Sequence, residues 1–345
     1  MHLRKIVYEQ DARETELRTQ LAETERRLIV VTRDLEESRS FVAKEDSDAK
    51  ELITAFNDVN EAVDDLAYLI SEAFDQHDLS FALADETIRP ALAVVPDFLK
   101  SLLKVSYKND GAVEDVLGPM ICCLLHCNLF QHIFALWSPG ISSGRHHACL
   151  SLYELVRARE PQDRAARWRS MTYQNCDPGR DDARLAATIA ETFFELLAAS
   201  VKPLLPESST FDFTALAAKF TSTVNKIALN AIRLQDKAKA TYLSFDYEFF
   251  LAQYGVPFER TTYEASDKVT HWKFQRSSDT IPAGEYQDII LAPTALGLLA
   301  TKGTLGPKGE ISRSVKVVMR AKALVGRCTY VPRSPTKDEP PPNQE

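Results

Sequence analysis

The amino-acid sequence predicts a mainly α-helical chain: an N-terminal coiled-coil helix, a helical bundle, and a small α+β module at the C-terminal side. Three observations predict it. Apolar residues recur at 3–4 spacing from Leu3 to Ala73, Pro119–Gly144 runs without a single charged residue, and beyond Tyr242 the texture changes to brief β-rich runs separated by Gly and Pro.

The first seam passes through Leu3, Val7, Leu17, Leu21, Leu28, Val31, Leu35 and Val42, interrupted at Gln10, Glu14, Thr24 and Ser38. This is heptad spacing, and it predicts a coiled-coil helix over 1–46. The same frame continues through Leu52, Phe56, Val59, Val63, Leu66 and Ile70, but "AKEDSDAKE" intervenes at Ala43–Glu51. Ser47 or Asp48 would cap a new helix there, with Asp48 and Glu51 spaced as an acidic capping box, so two helices with a kink or short break are expected.

The bundle is expected over 47–241. Pro96 and Gly111 bound a short helix, the charge-free stretch forms the next, and "SLYELVRARE" follows. Pro161 suits the first turn of a helix reaching about Tyr173, and "CDPGRDD" is a loop. A helix from Asp181 to Val201 is broken by "KPLLPESS". Asp212 then caps a helix with Phe213, Leu216, Phe220, Val224, Ile227, Ala231 and Leu234 on one face. In the mixed module, 242–332, "FDYEFFLAQYGVP" reads as a short helix, and "VTHWKF", "YQDIILA" and "SRSVKVVMR" read as strands. The tail, 333–345, has too little apolar content to fold.

The formal net charge of -8 argues against a general polyanion binder, so nucleic acid is not an expected partner. The sum conceals an asymmetry: Asp34–Asp97 holds 17 acidic residues against four basic, whereas Lys302–Arg333 holds eight basic and one acidic, Glu310. The amino terminus lacks an apolar run of signal-peptide length, no Asn-x-Ser/Thr acceptor occurs, and six unevenly spread Cys suit reduced thiols. The expectation is a cytoplasmic protein, with the nucleus open to it.

The stretch "PMICCLLHCNLFQHIFALWSPGISSG" invites four readings. Helical winding puts Cys123, Cys127, Phe130, Phe134 and Trp137 on one side, with Asn128, Gln131 and His132 in a narrow opposite strip, which is the pattern of a helix at the centre of a bundle. A zinc site needs four convergent ligands; Cys122 and Cys123 diverge by about 100° on a helix, and no Cys-x-x-Cys pair exists. A membrane span would hold His126, Asn128, Gln131 and His132 at mid-depth, against the solvation cost of polar groups there, so no span is expected. "GISSG" matches Gly-x-Ser-x-Gly with Ser142 in the nucleophile position, but a helix rather than a strand is expected before it.

Two basic clusters stand out. Arg157, Arg159, Arg164, Arg167 and Arg169 surround Trp168, and their expected role is a solvated face with the indole packed inward. Lys316, Arg320 and Lys322 form the better anion candidate, docking against the acidic helices being the plainer alternative. "TKGTLGPKGE" lacks the spacing and the Gly-Lys-Ser/Thr ending of a phosphate loop. No catalytic pair, metal ligand or cofactor motif is singled out, and no cofactor is expected.

The segments "SFVAKEDSDAKELITAFNDVNEAVDDLAYLISEAF", "FALWSPG", "AARWRSMTY", "FTSTVNKIALNAIRL" and "TALGLLAT", in that order, resemble a family of uncharacterised helical proteins present in many copies in mushroom-forming fungi. The resemblance spans about Arg13 to Val325 and implies an N-terminal coiled coil and a helical body, without an activity or cofactor. The leading functional expectation is therefore a non-enzymatic interaction or scaffold protein. Its partner-binding residues are Leu17, Leu21, Leu28, Val31 and Leu35, and its partner is another protein or a second copy. Flanking charges do not choose: a parallel pair would juxtapose Asp34 with Arg39 favourably and Arg13 with Arg18 unfavourably. The alternatives are an anion-binding module using 302–333 and a helical small-ligand binder or enzyme with a pocket beneath the 119–137 helix.

Overall fold

The computed structural model describes residues 2–74, 113–205, 209–266, 273–277, 286–306 and 309–331; in α1, side chains are described at 13, 16–26, 28 and from 50 onward. The helices are α1 (His2–Glu72), α2 (Val113–Leu129), α3 (Ser143–Arg159), α4 (Gln162–Asn175), α5 (Asp182–Val201) and α6 (Phe213–Asp236). The strands are β1 (Asp246–Phe250), β2 (Tyr263–Ala265), β3 (Lys273–Ser277), β4 (Tyr286–Pro293), β5 (Gly297–Leu305), β6 (Ile311–Met319) and β7 (Ala321–Val331). The helix expected at 96–111 and the tail at 333–345 lie outside the described residues. By contacts the chain divides into two units, Met1–Glu51 and Leu52–Glu345.

The first unit is helical throughout from His2. The expected break at Ala43–Glu51 does not occur: α1 runs on without interruption. That segment contains neither Gly nor Pro, so continuing the helix costs only small propensity differences, whereas a break would leave backbone donors and acceptors without intrahelical partners.

In the second unit, Leu52, Phe56, Val59, Val63, Leu66 and Ile70 are all at most 1% exposed. Each such side chain contributes about 1.5–3 kcal/mol by leaving water, which holds this part of α1 to the body. Helix α2 supplies the charge-free wall of the same core, from Leu117 to Leu129, and packs against α5 and β4. Pro119 lies inside α2 rather than at its start, and a π-helical turn, Phe130–Phe134, ends the run. Because this turn departs from uniform winding, Phe134 packs against Phe249 in a tilted pair, ring centroids 4.4 Å apart, while Trp137 leaves the main core for a second cluster with Tyr153 and Trp168. Asp212 caps α6 by accepting from the amides of Thr214 and Ala215, and the face below it is buried as its spacing requires, with Phe213 half-buried against Phe211.

The segment expected to form a short helix at "FDYEFF" is strand β1, pairing antiparallel with β5. Its Phe and Tyr residues favour a half-buried pleated surface, and Asp246 is anchored from the helical side by buried donors. One sheet has the order β1-β5-β6, all antiparallel. In the other, β2 and β3 lie in succession along one edge of β7, both parallel to it, and β4 lies antiparallel along the opposite edge. "YQDIILA" and "SRSVKVVMR" are strands as expected; "VTHWKF" reaches the described residues only at Lys273 and Phe274, in β3. Leu291, Leu298 and Leu324 join the same apolar core as Phe56, Leu125, Phe193 and Ile227, so strands and helices share one interior.

Candidate functional site

Three of the five seam residues singled out by sequence are described. Leu17, Leu21 and Leu28 are 58%, 60% and 66% exposed, while the side chains of Val31 and Leu35 lie outside the described residues. At the seam position between Leu21 and Leu28, the Thr24 hydroxyl donates to the carbonyls of Gln20 and Leu21, at 2.5 and 3.0 Å, so this polar interruption is satisfied within the helix.

The sulfur- and imidazole-bearing groups of α2 do not converge. Cys122 Sγ donates to Asp64 Oδ1 at 3.2 Å, whereas Cys123 and Cys127 face one another with sulfurs 4.0 Å apart. Burial pushes the Cys123 thiol well above its ordinary pKa. His126 is fully buried, neither ring nitrogen has a hydrogen-bond partner among the described residues, and burial lowers its pKa to about 3. No three His, Cys, Asp or Glu side chains cluster for a metal ion among the described residues. Leu117–Phe134 is long and apolar enough to cross a membrane, with mean hydropathy 1.3, but 72% of it is buried inside the protein, as befits a core helix. Ser142 is the exposed N-cap of α3, preceded by the end of a helix, and His146 Nδ1 accepts the Trp137 amide 2.9 Å away. The strand-to-helix elbow that would activate a serine is not formed there.

Arg169 departs from the expected solvated face. It is 1% exposed and ion-paired with Asp246, itself 2% exposed, and it also donates to the carbonyls of Lys239, Tyr242 and Phe245. Tyr153 and Gln162 donate to the same Asp246 oxygen at 2.6 and 3.0 Å. A guanidinium is tolerated in such a place because its fork meets several fixed acceptors at once. Burial raises the Tyr153 pKa against the opposing pull of the Arg169 charge, and the hydrogen bonds of this network tie α3 and α4 to β1. Trp168, as expected, packs inward, stacked on Tyr153 at 5.9 Å.

The basic residues of the late strands are partly engaged. Arg320 pairs with Glu264 at 3.6 Å and donates to the Arg260 carbonyl, and Arg327 pairs with Asp288 at 3.2 Å while lying over the Tyr286 ring. Lys316 is exposed on β6.

The site with converging polar groups lies elsewhere, between α1, the first turns of α2 and the sheets. Strand pairing sets Glu264 of β2 beside Lys322 of β7. The Lys322 carbonyl accepts the amides of Thr294 and Ala295 at 2.8 and 3.2 Å, which seats the β4–β5 junction against that pair. Asn60 then clamps the junction to α1, its Oδ1 accepting the Leu296 amide at 3.1 Å and its Nδ2 donating to the Leu296 carbonyl at 3.4 Å. Asn57, Asn60, Glu61 and Asp64 occupy one helical face by their spacing, so this clamp brings Glu61 and Asp64 to the same opening. Two adjoining spaces result. A chamber of about 150 Å³ is lined by Asp64, Cys122, Glu264, Ser266, Thr294 and Lys322, among others. A cleft of about 430 Å³ shares Asp64, Glu264 and Lys322 with it and adds Glu61 and apolar walls including Phe56, Leu296 and Met319. Of the residues lining these spaces, sequence analysis singled out Lys322 and its neighbour Arg320 as an anion candidate, Cys122 as a metal candidate and Phe56 as a seam residue, none of them as parts of one site; they come from distant segments with no local spacing to connect them. Compared with known proteins, the chain matches no family model, no curated protein and no solved structure.

Proposed function

We propose that the protein is a non-enzymatic, intracellular interaction or scaffold protein acting through the N-terminal part of α1 as a coiled coil. The exposure of Leu17, Leu21 and Leu28 along one seam carries this reading. Covering each leucine would contribute about 1.5–3 kcal/mol, and three together roughly 5–9 kcal/mol, against about 4–15 kcal/mol lost on association. Three leucines are therefore marginal alone, and the proposed interface extends to Val31 and Leu35. The resemblance to the fungal helical family, which implies the same coiled coil, belongs to this reading.

Replacing Leu21, Leu28 and Leu35 together with Asn is expected to abolish self-association measured by light scattering or, for a heterologous partner, retention of it from native cells. An unchanged mass together with unchanged retention would refute the proposal. The engagement of Arg320 and Arg327 in ion pairs leaves the anion-binding alternative with less support.

A further inference from the structure

The chamber and cleft between α1 and the sheets present groups that the fold itself leaves unsatisfied. Thr294 is 6% exposed and lines the chamber, yet its Oγ1 has no hydrogen-bond partner among the described residues. Such a hydroxyl is uncommon in a folded interior and calls for a partner. Lys322, on the same wall, enters no ion pair or hydrogen bond through its ammonium among the described residues, although Asp64 and Glu264 line the same space. Asp64 accepts from the Cys122 thiol, a weak donor that leaves most of a carboxylate's accepting capacity available. Glu61, one turn from Asp64 on α1, lines the adjoining cleft.

The signs and positions of these groups restrict the ligand. A dianion would meet Lys322 but also Glu61, Asp64 and Glu264; a polyamine would meet the carboxylates but also Lys322 and Arg320. A small zwitterion satisfies both walls. The size agrees: a cavity of about 150 Å³ accepts benzene, six heavy atoms, and an ammonium, one carbon and a carboxylate make five. The larger cleft, about 430 Å³ with Phe56, Leu296 and Met319 on its walls, lies where a side chain attached to that carbon would extend, and its volume falls within the range of small-molecule sites.

We infer that this site binds a free α-amino acid. Its ammonium is received by Asp64, its carboxylate by Lys322 with Thr294 Oγ1 as a second donor, and an apolar side chain extends into the cleft along Phe56 and Met319. The site is separate from the α1 seam, and either proposal stands without the other.

The test is isothermal titration of the full chain with each of the common amino acids, with spermidine, succinate and inorganic phosphate as single-sign controls. At least one apolar amino acid is expected to bind with one-to-one stoichiometry, and its methyl ester and N-acetyl derivatives are expected not to. Asp64→Asn and Lys322→Gln should each weaken binding roughly tenfold or more, the loss of one charge-assisted contact. Thr294→Val, of the same shape, should weaken it by less. Lys322 is exposed on the surface, so Lys322→Gln tests the site without disturbing the core; a urea midpoint for Asp64→Asn separates lost binding from lost folding. Binding by no amino acid, binding by spermidine or a dianion alone, or amino-acid binding unchanged in Lys322→Gln would overturn the assignment.

Discussion

Replacing Asp246 by Asn would remove one charge from a pair that water does not reach while keeping the side chain's shape. Arg169 and Asp246 are 1% and 2% exposed, and one Asp246 oxygen receives Arg169, Tyr153 and Gln162 together. The Asn variant strands a guanidinium in the interior, and breaking one partner of a buried pair costs about 3–5 kcal/mol. Typical domain stabilities are about 5–15 kcal/mol, so the loss is a large share of the total. With a urea dependence of about 3 kcal/mol per molar, suited to a unit larger than a small domain, the unfolding midpoint followed by far-ultraviolet circular dichroism should fall by roughly 1–1.7 M. Arg169→Met in the same background should not restore it fully, since the Lys239, Tyr242 and Phe245 carbonyls lose their donor, at about 1–3 kcal/mol for each acceptor left unsatisfied. A midpoint for Asp246→Asn within about 0.2 M of the parent, well inside the shift expected for a desolvated pair, would refute the reasoning.

His126 predicts an acid sensitivity. Its folded pKa is lowered to about 3 by burial, against 6.5 in the unfolded chain, so between those values the unfolded state binds the extra proton. Stability attributable to this residue is intact above pH 6.5 and falls as pH drops through the window, at about 1.4 kcal/mol per pH unit. His126→Leu should flatten that dependence between pH 6.5 and 4.5 in urea unfolding; an unaltered slope would count against it. Gly297 predicts a packing defect: an added Cβ would lie 2.3 Å from Phe250 Cε1 and 2.8 Å from the Ala321 amide nitrogen, so Gly297→Ala should cost about 1–3 kcal/mol by overpacking, read as a lowered melting temperature. A melting temperature equal to the parent's would mean that β1 and β5 yield at that point.

Periodicity made the helices legible. The buried faces of α1 beyond Leu52 and of α6 are the ones that 3–4 spacing marks, and the caps Asp181 and Asp212 sit where their side chains accept the first amides. Periodicity misread β1 because five residues are too few to separate a helix from a strand: Asp246–Phe250 owes its conformation to Gly297–Thr301 alongside and to Arg169 behind. The arginine-rich run showed the same limit. Five arginines look alike in the sequence, and the burial of Arg169 follows from three carbonyls and a carboxylate contributed by residues 239–246.

Amino-acid order alone determined the long N-terminal seam, the apolar character of α2 and the principal helix faces, because these depend on spacing within one segment and on the free energy of removing hydrocarbon from water. Tertiary structure decided the rest. The chamber of Asp64, Glu264, Thr294 and Lys322 exists because parallel pairing, two amides on one carbonyl and an asparagine clamp bring remote residues to one opening. Short-range pattern carries no trace of such meetings: Asp64, Glu264 and Thr294 are unexceptional among their own neighbours, Lys322 stands out only as one of a run of basic residues, and they become a site only through one another.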